Sequence, residues 1–134
     1  MSTISYDVNP NIDIDVLSTA EERHSITMRD DIKQFIISNA GGYPRKLVII
    51  VDGEEYEVRV FLSLDKSDSH YFIGEWLNDF LSKTKGRIVP IAIDSENNVY
   101  CVNNETGKVY YWSFDADEYY YLAENLECFS ALFT

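Results

Sequence analysis

Asp52-Gly53 stands between two stretches of opposite pattern, and that juxtaposition constrains the fold more than any other feature. Before it, Leu47-Val48-Ile49-Ile50-Val51 is an unbroken apolar, largely β-branched run. After it, Tyr56, Val58, Val60, Leu62 and Leu64 alternate with Glu57, Arg59 and Ser63. A type I′ turn needs positive φ at both central residues, and Asp-Gly supplies it. The chain therefore doubles back as an antiparallel hairpin. Its first arm reads as a strand buried on both faces, and its second as a half-buried strand of period two.

Helical signals flank this hairpin. Thr27-x-x-Asp30 resembles a capping box and opens a segment in which Ile32, Phe35, Ile36 and Ala40 share one face. Gly41-Gly42 supplies the stop, and Pro44 prevents continuation. Beyond the polar loop 65–69, Ile73, Trp76, Leu77, Phe80 and Leu81 follow the spacing of a second amphipathic helix, ended by Gly86. Three strands are predicted next, over 88–94, 99–103 and 108–114. The tetrapeptides between them, Ser95-Glu96-Asn97-Asn98 and Asn104-Glu105-Thr106-Gly107, are rich in turn formers and make neighbouring strands antiparallel. Leu122, Leu126, Phe129 and Phe133 mark a closing helix.

The order is α-ββ-α-βββ-α, an α+β domain with one antiparallel-rich sheet of about five or six strands packed against helices. It is expected to occupy residues 27–134. Residues 1–26 read as an acidic N-terminal arm, weakly structured or with one short helix near 18–22, and Asn9-Pro10-Asn11 in it signals a turn. Trp76, Phe80, Tyr110 and Trp112 are predicted to be largely buried, with Trp112 against a helix.

Charge restricts the partners. Twenty-three acids face 11 bases, for a formal net charge of −12. Residues 1–22 hold Asp7, Asp13, Asp15, Glu21 and Glu22 and no Lys or Arg. Residues 109–134 hold Asp115, Asp117, Glu118, Glu124 and Glu127, again with no base. Such a field repels phosphate, so neither nucleic acid nor an anionic membrane is an expected partner, whereas a basic protein is attracted. The start carries no basic n-region or apolar h-region, and no apolar run approaches the ~20 residues of a membrane span. The expected location is the cytoplasm. Cys101 and Cys128 form no CxxC or other ligand spacing, and buried thiols are the expected state there.

Catalytic patterns are missing from the sequence. His24 and His70 lie in no HxxxH, HExxH or Cys/His arrangement, and no GxSxG, GxGxxG or GxxxxGK[ST] string occurs. Asp94-x-Glu96-x-Asn98 has alternating oxygen ligands, yet lacks the glycine and distant bidentate Glu of a calcium loop, and reads as a hairpin turn. No catalytic, cofactor-binding or metal-binding residue is assigned, and no cofactor is expected. The candidate partner-binding residues are Asp115, Asp117, Glu118, Tyr119, Tyr120 and Tyr121, in a loop between the Trp112 strand and the closing helix. Three carboxylates beside three tyrosines combine long-range attraction with rigid amphipathic contact area. The alternative is that the tyrosines pack under the last helix while the acids solvate a loop.

Five segments follow one another in a fixed order. These are residues 30–36 running into Asn39-Ala40-Gly41-Gly42-Tyr43-Pro44, then Phe61-Leu62-Ser63-Leu64, then Ile88-Val89-Pro90-Ile91-Ala92-Ile93-Asp94 followed by Asn97-Asn98. Gly107-Lys108-Val109-Tyr110-Tyr111-Trp112 and the segment 126–132 complete the set. In that order they resemble the SUKH superfamily of Smi/Knr-type domains. The resemblance covers residues 27–134. The glycine usual in the turn near Asn97 is missing, a position where Asn also tolerates left-handed backbone. What the resemblance implies is an α+β domain of six strands or fewer without a catalytic site. Bacterial members are commonly immunity proteins of polymorphic toxin systems, and eukaryotic relatives are regulatory scaffolds. The implied partner is a cognate protein toxin, basic and nuclease-like, whose phosphate-binding surface an acidic inhibitor could occupy. A scaffold domain binding other proteins is the alternative, and an enzyme with an unrecognised site a third.

Overall fold

The computed structural model describes residues 15–134. The Asn9-Pro10-Asn11 turn and most of the expected acidic arm lie outside the described residues. Helix α1 (Asp15–His24) is followed by α2 (Asp30–Asn39), the hairpin β1 (Val48–Val51) and β2 (Glu54–Glu57), and the short strand β3 (Val60–Phe61). A 3-10 helix (Lys66–Tyr71) leads into α3 (Ile73–Thr84). Strands β4 (Ile88–Ile93), β5 (Val99–Asn103), β6 (Val109–Ser113) and β7 (Glu118–Ala123) then precede α4 (Leu126–Ala131).

The Asp52-Gly53 turn has φ of 51° and 80° at its two residues, and Val51 sits opposite Glu54, the geometry a type I′ hairpin requires. This hairpin forms a two-stranded sheet of its own. Its apolar run is not buried on both faces: Ile49 is buried, whereas Ile50 is 57% exposed. The expected period-two strand over 56–64 is also divided. The chain leaves the small sheet at Glu57 and enters the large one at Val60, so the alternation spans two strands in different sheets.

The large sheet has the order β3-β4-β5-β6-β7 and is antiparallel throughout. Helices cover both faces. On one, Phe35 of α2 and Phe129 of α4 meet, and they contact Phe61 and Tyr100 respectively. On the other, α3 packs along β4 and places Phe80 against Trp112 at 5.6 Å. Burial therefore falls across the sheet. All six residues of β4 are buried, whereas the first four of β7 are exposed.

Helix α1 is longer than the short helix read near 18–22, and its Val16, Leu17 and Ala20 join the hydrophobic core against α3. Few apolar residues mark its inner face, which is why the pattern is faint. Thr27 does not cap α2, which starts at Asp30 after Arg29. Asn104, in the β5–β6 turn, instead accepts the Arg29 N–H at 2.9 Å and donates to the Thr27 carbonyl at 3.0 Å, pinning the helix entry from 75 residues away. Of the four aromatics expected in the core, Phe80 is buried, while Trp76, Tyr110 and Trp112 are half-buried. Each indole N–H reaches a polar partner near the surface, the His70 carbonyl for Trp76 and Asp117 for Trp112.

Candidate protein-binding surface

Residues 115–121 do not form a loop. Ser113 pairs with Glu118, so 114–117 make the tight connection of a hairpin, with Asp117 in the left-handed region at φ 50°. Tyr119, Tyr120 and Tyr121 then run along β7 opposite Trp112, Tyr111 and Tyr110. Aromatic residues favour a pleated, half-covered surface, and cross-strand aromatic pairs stabilise it. Tyr110 meets Tyr119 and Tyr121 edge-on at 6.3 and 5.9 Å on one face of the sheet. Tyr120 lies by Tyr111 at 6.4 Å on the other, and Tyr111 in turn packs on Tyr56 of the small hairpin. The three β7 tyrosines are 44%, 40% and 49% exposed in chain order. They do not pack under the last helix; the end of the strand, Leu122 and Ala123, is buried instead. Leu122 thus belongs to β7, and α4 begins at Leu126 with Asn125 as its cap, accepting from the Cys128 N–H at 2.8 Å.

The acids hold the aromatics in place. Asp117 accepts the Trp112 indole N–H at 3.1 Å, Glu118 the Tyr120 hydroxyl at 3.0 Å, and Glu124 the Tyr121 hydroxyl at 2.8 Å. The bond to Glu118 raises the Tyr120 phenol above its ordinary value, and the bond to Glu124 does the same at Tyr121; at Tyr119 burial is the main cause. All three tyrosines are therefore neutral hydrogen-bonding surfaces at physiological pH. No Lys or Arg forms an ion pair with Asp115, Asp117, Glu118, Glu124 or Glu127 among the described residues. The strip thus combines uncompensated negative charge with exposed rings.

Phe114, at the tip of the same hairpin, is 67% exposed and packs edge-on against Trp112. Sequence reasoning placed it at the end of a strand and passed over it as a surface residue. With Tyr110 and Trp112 it extends the strip by three aromatics. The signal that could have found β7 was the match of two aromatic triplets, 110–112 and 119–121, across an Asp-rich turn.

The remaining polar groups serve the scaffold. Asp94 is buried, and its carboxylate accepts the N–H groups of Glu96 and Asn98, the Asn98 side-chain amide and the Tyr111 hydroxyl at 2.7–3.1 Å. The Asp94-x-Glu96-x-Asn98 segment is a hairpin turn with Asn97 left-handed at φ 67°. His24 bonds Asn78 and His70 bonds Asn97. Among the described residues no group of three His, Cys, Asp or Glu is placed to hold a metal ion. Both cysteines are free; Cys101 is buried, which pushes its thiol upward, while Cys128 is exposed rather than buried. No helix among the described residues is long and apolar enough to cross a membrane.

The profile of the SMI1 / KNR4 family (SUKH-1) matches residues 11–131. No curated protein matches the chain.

Proposed function

The chain belongs to the SMI1 / KNR4 family (SUKH-1), and from that premise we propose that it is a non-enzymatic cytoplasmic immunity protein that neutralises a cognate toxin by binding it directly. The observation that carries this reading is the strip over residues 114–121. Exposed rings there lie beside carboxylates that have no cationic partner among the described residues. Tyrosines held by neighbouring acids offer large contact area at low entropic cost, and the acids speed encounter with a basic surface. A nuclease-type toxin presents such a surface where it grips phosphates. Occupying it blocks the substrate without any chemistry on the inhibitor's side.

The test is co-expression with the protein encoded immediately upstream of this gene. Rescue of growth and a co-purifying complex support the proposal; persistent toxicity and no complex overturn it. Replacing His24 and His70 together by Gln should leave that protection nearly intact, because among the described residues each imidazole bonds only to a side-chain amide or packs on neighbouring rings. Loss of protection in a folded double variant would reopen an enzymatic reading.

A further inference from the structure

We propose that the partner engages this strip by strand addition, laying an extended basic segment along the outer edge of β7; this rests on the immunity reading. The direction of the main-chain groups comes from the ladder. Asn103 N–H donates to the Lys108 carbonyl, and Phe114 N–H to Asn98 Oδ1, so the even-numbered residues of β6 turn toward β5. Tyr111 and Ser113 accordingly bond β7, through their opposite residues Tyr120 and Glu118. Strict alternation then leaves the N–H and C=O of Tyr119 and Tyr121 pointing away from the sheet. Among the described residues no backbone group outside β6 bonds to β7. β7 contains no Lys or Pro to blunt pairing, and its irregularity lies at the far end, near Ala123.

Charge selects the occupant. A second copy pairing β7 to β7 would set Asp117, Glu118 and Glu124 of one chain beside the same acids of the other, with no base in 109–134 to relieve them. An extended segment with Lys or Arg at alternate positions meets the opposite situation. Its main chain pairs with Tyr119 and Tyr121, while its cations lie over the exposed faces of those rings and toward the carboxylates at either end. Backbone pairing supplies affinity, and ring and carboxylate contacts supply selectivity.

A synthetic ten-residue peptide of alternating Lys and Val, with a Glu/Val peptide as control, provides the test at low ionic strength. Amide exchange followed residue by residue should slow at Tyr119 and Tyr121 by roughly ten-fold or more with the Lys/Val peptide only. Tyr121→Pro removes an outward donor without removing a bond to β6, so it should weaken binding roughly ten-fold relative to Tyr121→Val, which keeps the N–H. Tyr119→Pro against Tyr119→Val repeats the comparison should the first variant fail to fold. Unchanged exchange at both amides, or equal binding by the Pro and Val variants, overturns strand addition and leaves only diffuse charge attraction. The same exchange measurement on the toxin complex separates the two proposals. A complex whose Tyr119 and Tyr121 amides still exchange freely overturns strand addition alone. Peptide protection without any toxin complex overturns the immunity reading alone.

Discussion

At one edge of the large sheet, the chain's own backbone completes β3. The Phe61 N–H donates to the Gly42 carbonyl, and the Phe61 carbonyl accepts from Gly41 N–H, both at 3.0 Å. The Gly-Gly stop of α2 therefore also covers an edge, because Gly41, with φ 76°, lays the chain leaving the helix along the outer strand. Phe61 is buried there between Phe35 and Phe133. At the other edge, β7 has only β6 beside it among the described residues, and its tyrosines are nearly half exposed. Two edges of one sheet thus obey different rules. The first is closed in cis and packed; the second is left with a free ladder and a negative field. An open edge is an aggregation hazard that proteins usually blunt, so keeping one open and acidic fits a strand reserved for another chain.

The sharpest break in the comparison is predicted for the side chains. Phe61→Ala on the closed edge should cost ~3–5 kcal/mol, the range for emptying a buried aromatic site. Tyr120→Ala on the open edge should cost less than ~1 kcal/mol, since it loses one cross-strand ring contact and a surface hydrogen bond. Urea unfolding of the two variants measures both. Equal costs would mean that β7 is as integral to the core as β3.

Gly41→Val attacks the closure itself. It places a β-branched residue in left-handed backbone, costing about 1–2 kcal/mol, and pushes the chain off Phe61. Besides the stability loss, the variant should become prone to self-association as the β3 edge opens, which light scattering would detect. A monomer at high concentration would argue that the Gly41-Gly42 cover does not guard that edge.

Between the edges, Tyr100 donates its hydroxyl to the Glu57 carbonyl, tying the large sheet to the small hairpin. Burial, then the nearby Tyr111 and Asp94, raise its phenol above the ordinary 10.0. A phenol that binds its proton more tightly in the folded than in the unfolded chain stabilises the fold fully below the unfolded value. That contribution is lost progressively as pH rises from the unfolded value toward the folded one. Melting temperature should therefore fall above pH ~10 and fall less in Tyr100→Phe, which at neutral pH costs about 1 kcal/mol for the lost bond. An identical alkaline profile in wild type and variant would assign the loss to other groups, such as Cys101 and Tyr111, which burial also raises.

The small hairpin, the stop of α2 and the centre of the large sheet were legible because their signals are local. Asp52-Gly53, the Gly41-Gly42 stop, the 88–94 run and the two polar tetrapeptides each dictate geometry within a few residues. The α+β class and antiparallel order follow from them. What could not be read depends on partners distant in sequence. Val58 and Arg59 keep the alternation unbroken, so nothing local marks the change of sheet. Val16, Leu17 and Ala20 become core only because α3 lies over them. Glu118-Tyr119-Tyr120-Tyr121 has no alternation of polarity, which hid a strand whose two faces both carry rings. The candidate residues stand out as a cluster because charge and aromatic content are compositional; their strand conformation is not.

Reversing charge along the open edge should disturb the fold least. Asp115→Lys, Asp117→Lys and Glu118→Lys together remove the bonds to the Trp112 indole and the Tyr120 hydroxyl, both at the surface, and leave the β6–β7 ladder intact. A stability change within about 1 kcal/mol is expected, as for other exposed substitutions. Encounter with a basic partner is a different matter, because steering depends on the summed field and not on any one bond. Roughly six units of charge change on a hairpin tip should slow association by roughly ten-fold or more at low salt. The deficit should shrink at high salt, where screening confines the field to about 3 Å at ~1 M. Dissociation of a complex already formed by strand pairing should respond less, since its main-chain bonds at Tyr119 and Tyr121 survive the substitutions. Stopped-flow binding to a basic protein partner at two ionic strengths distinguishes the cases. An association rate that ignores the three lysines would move the electrostatic contact away from β7, to the acids of residues 1–22.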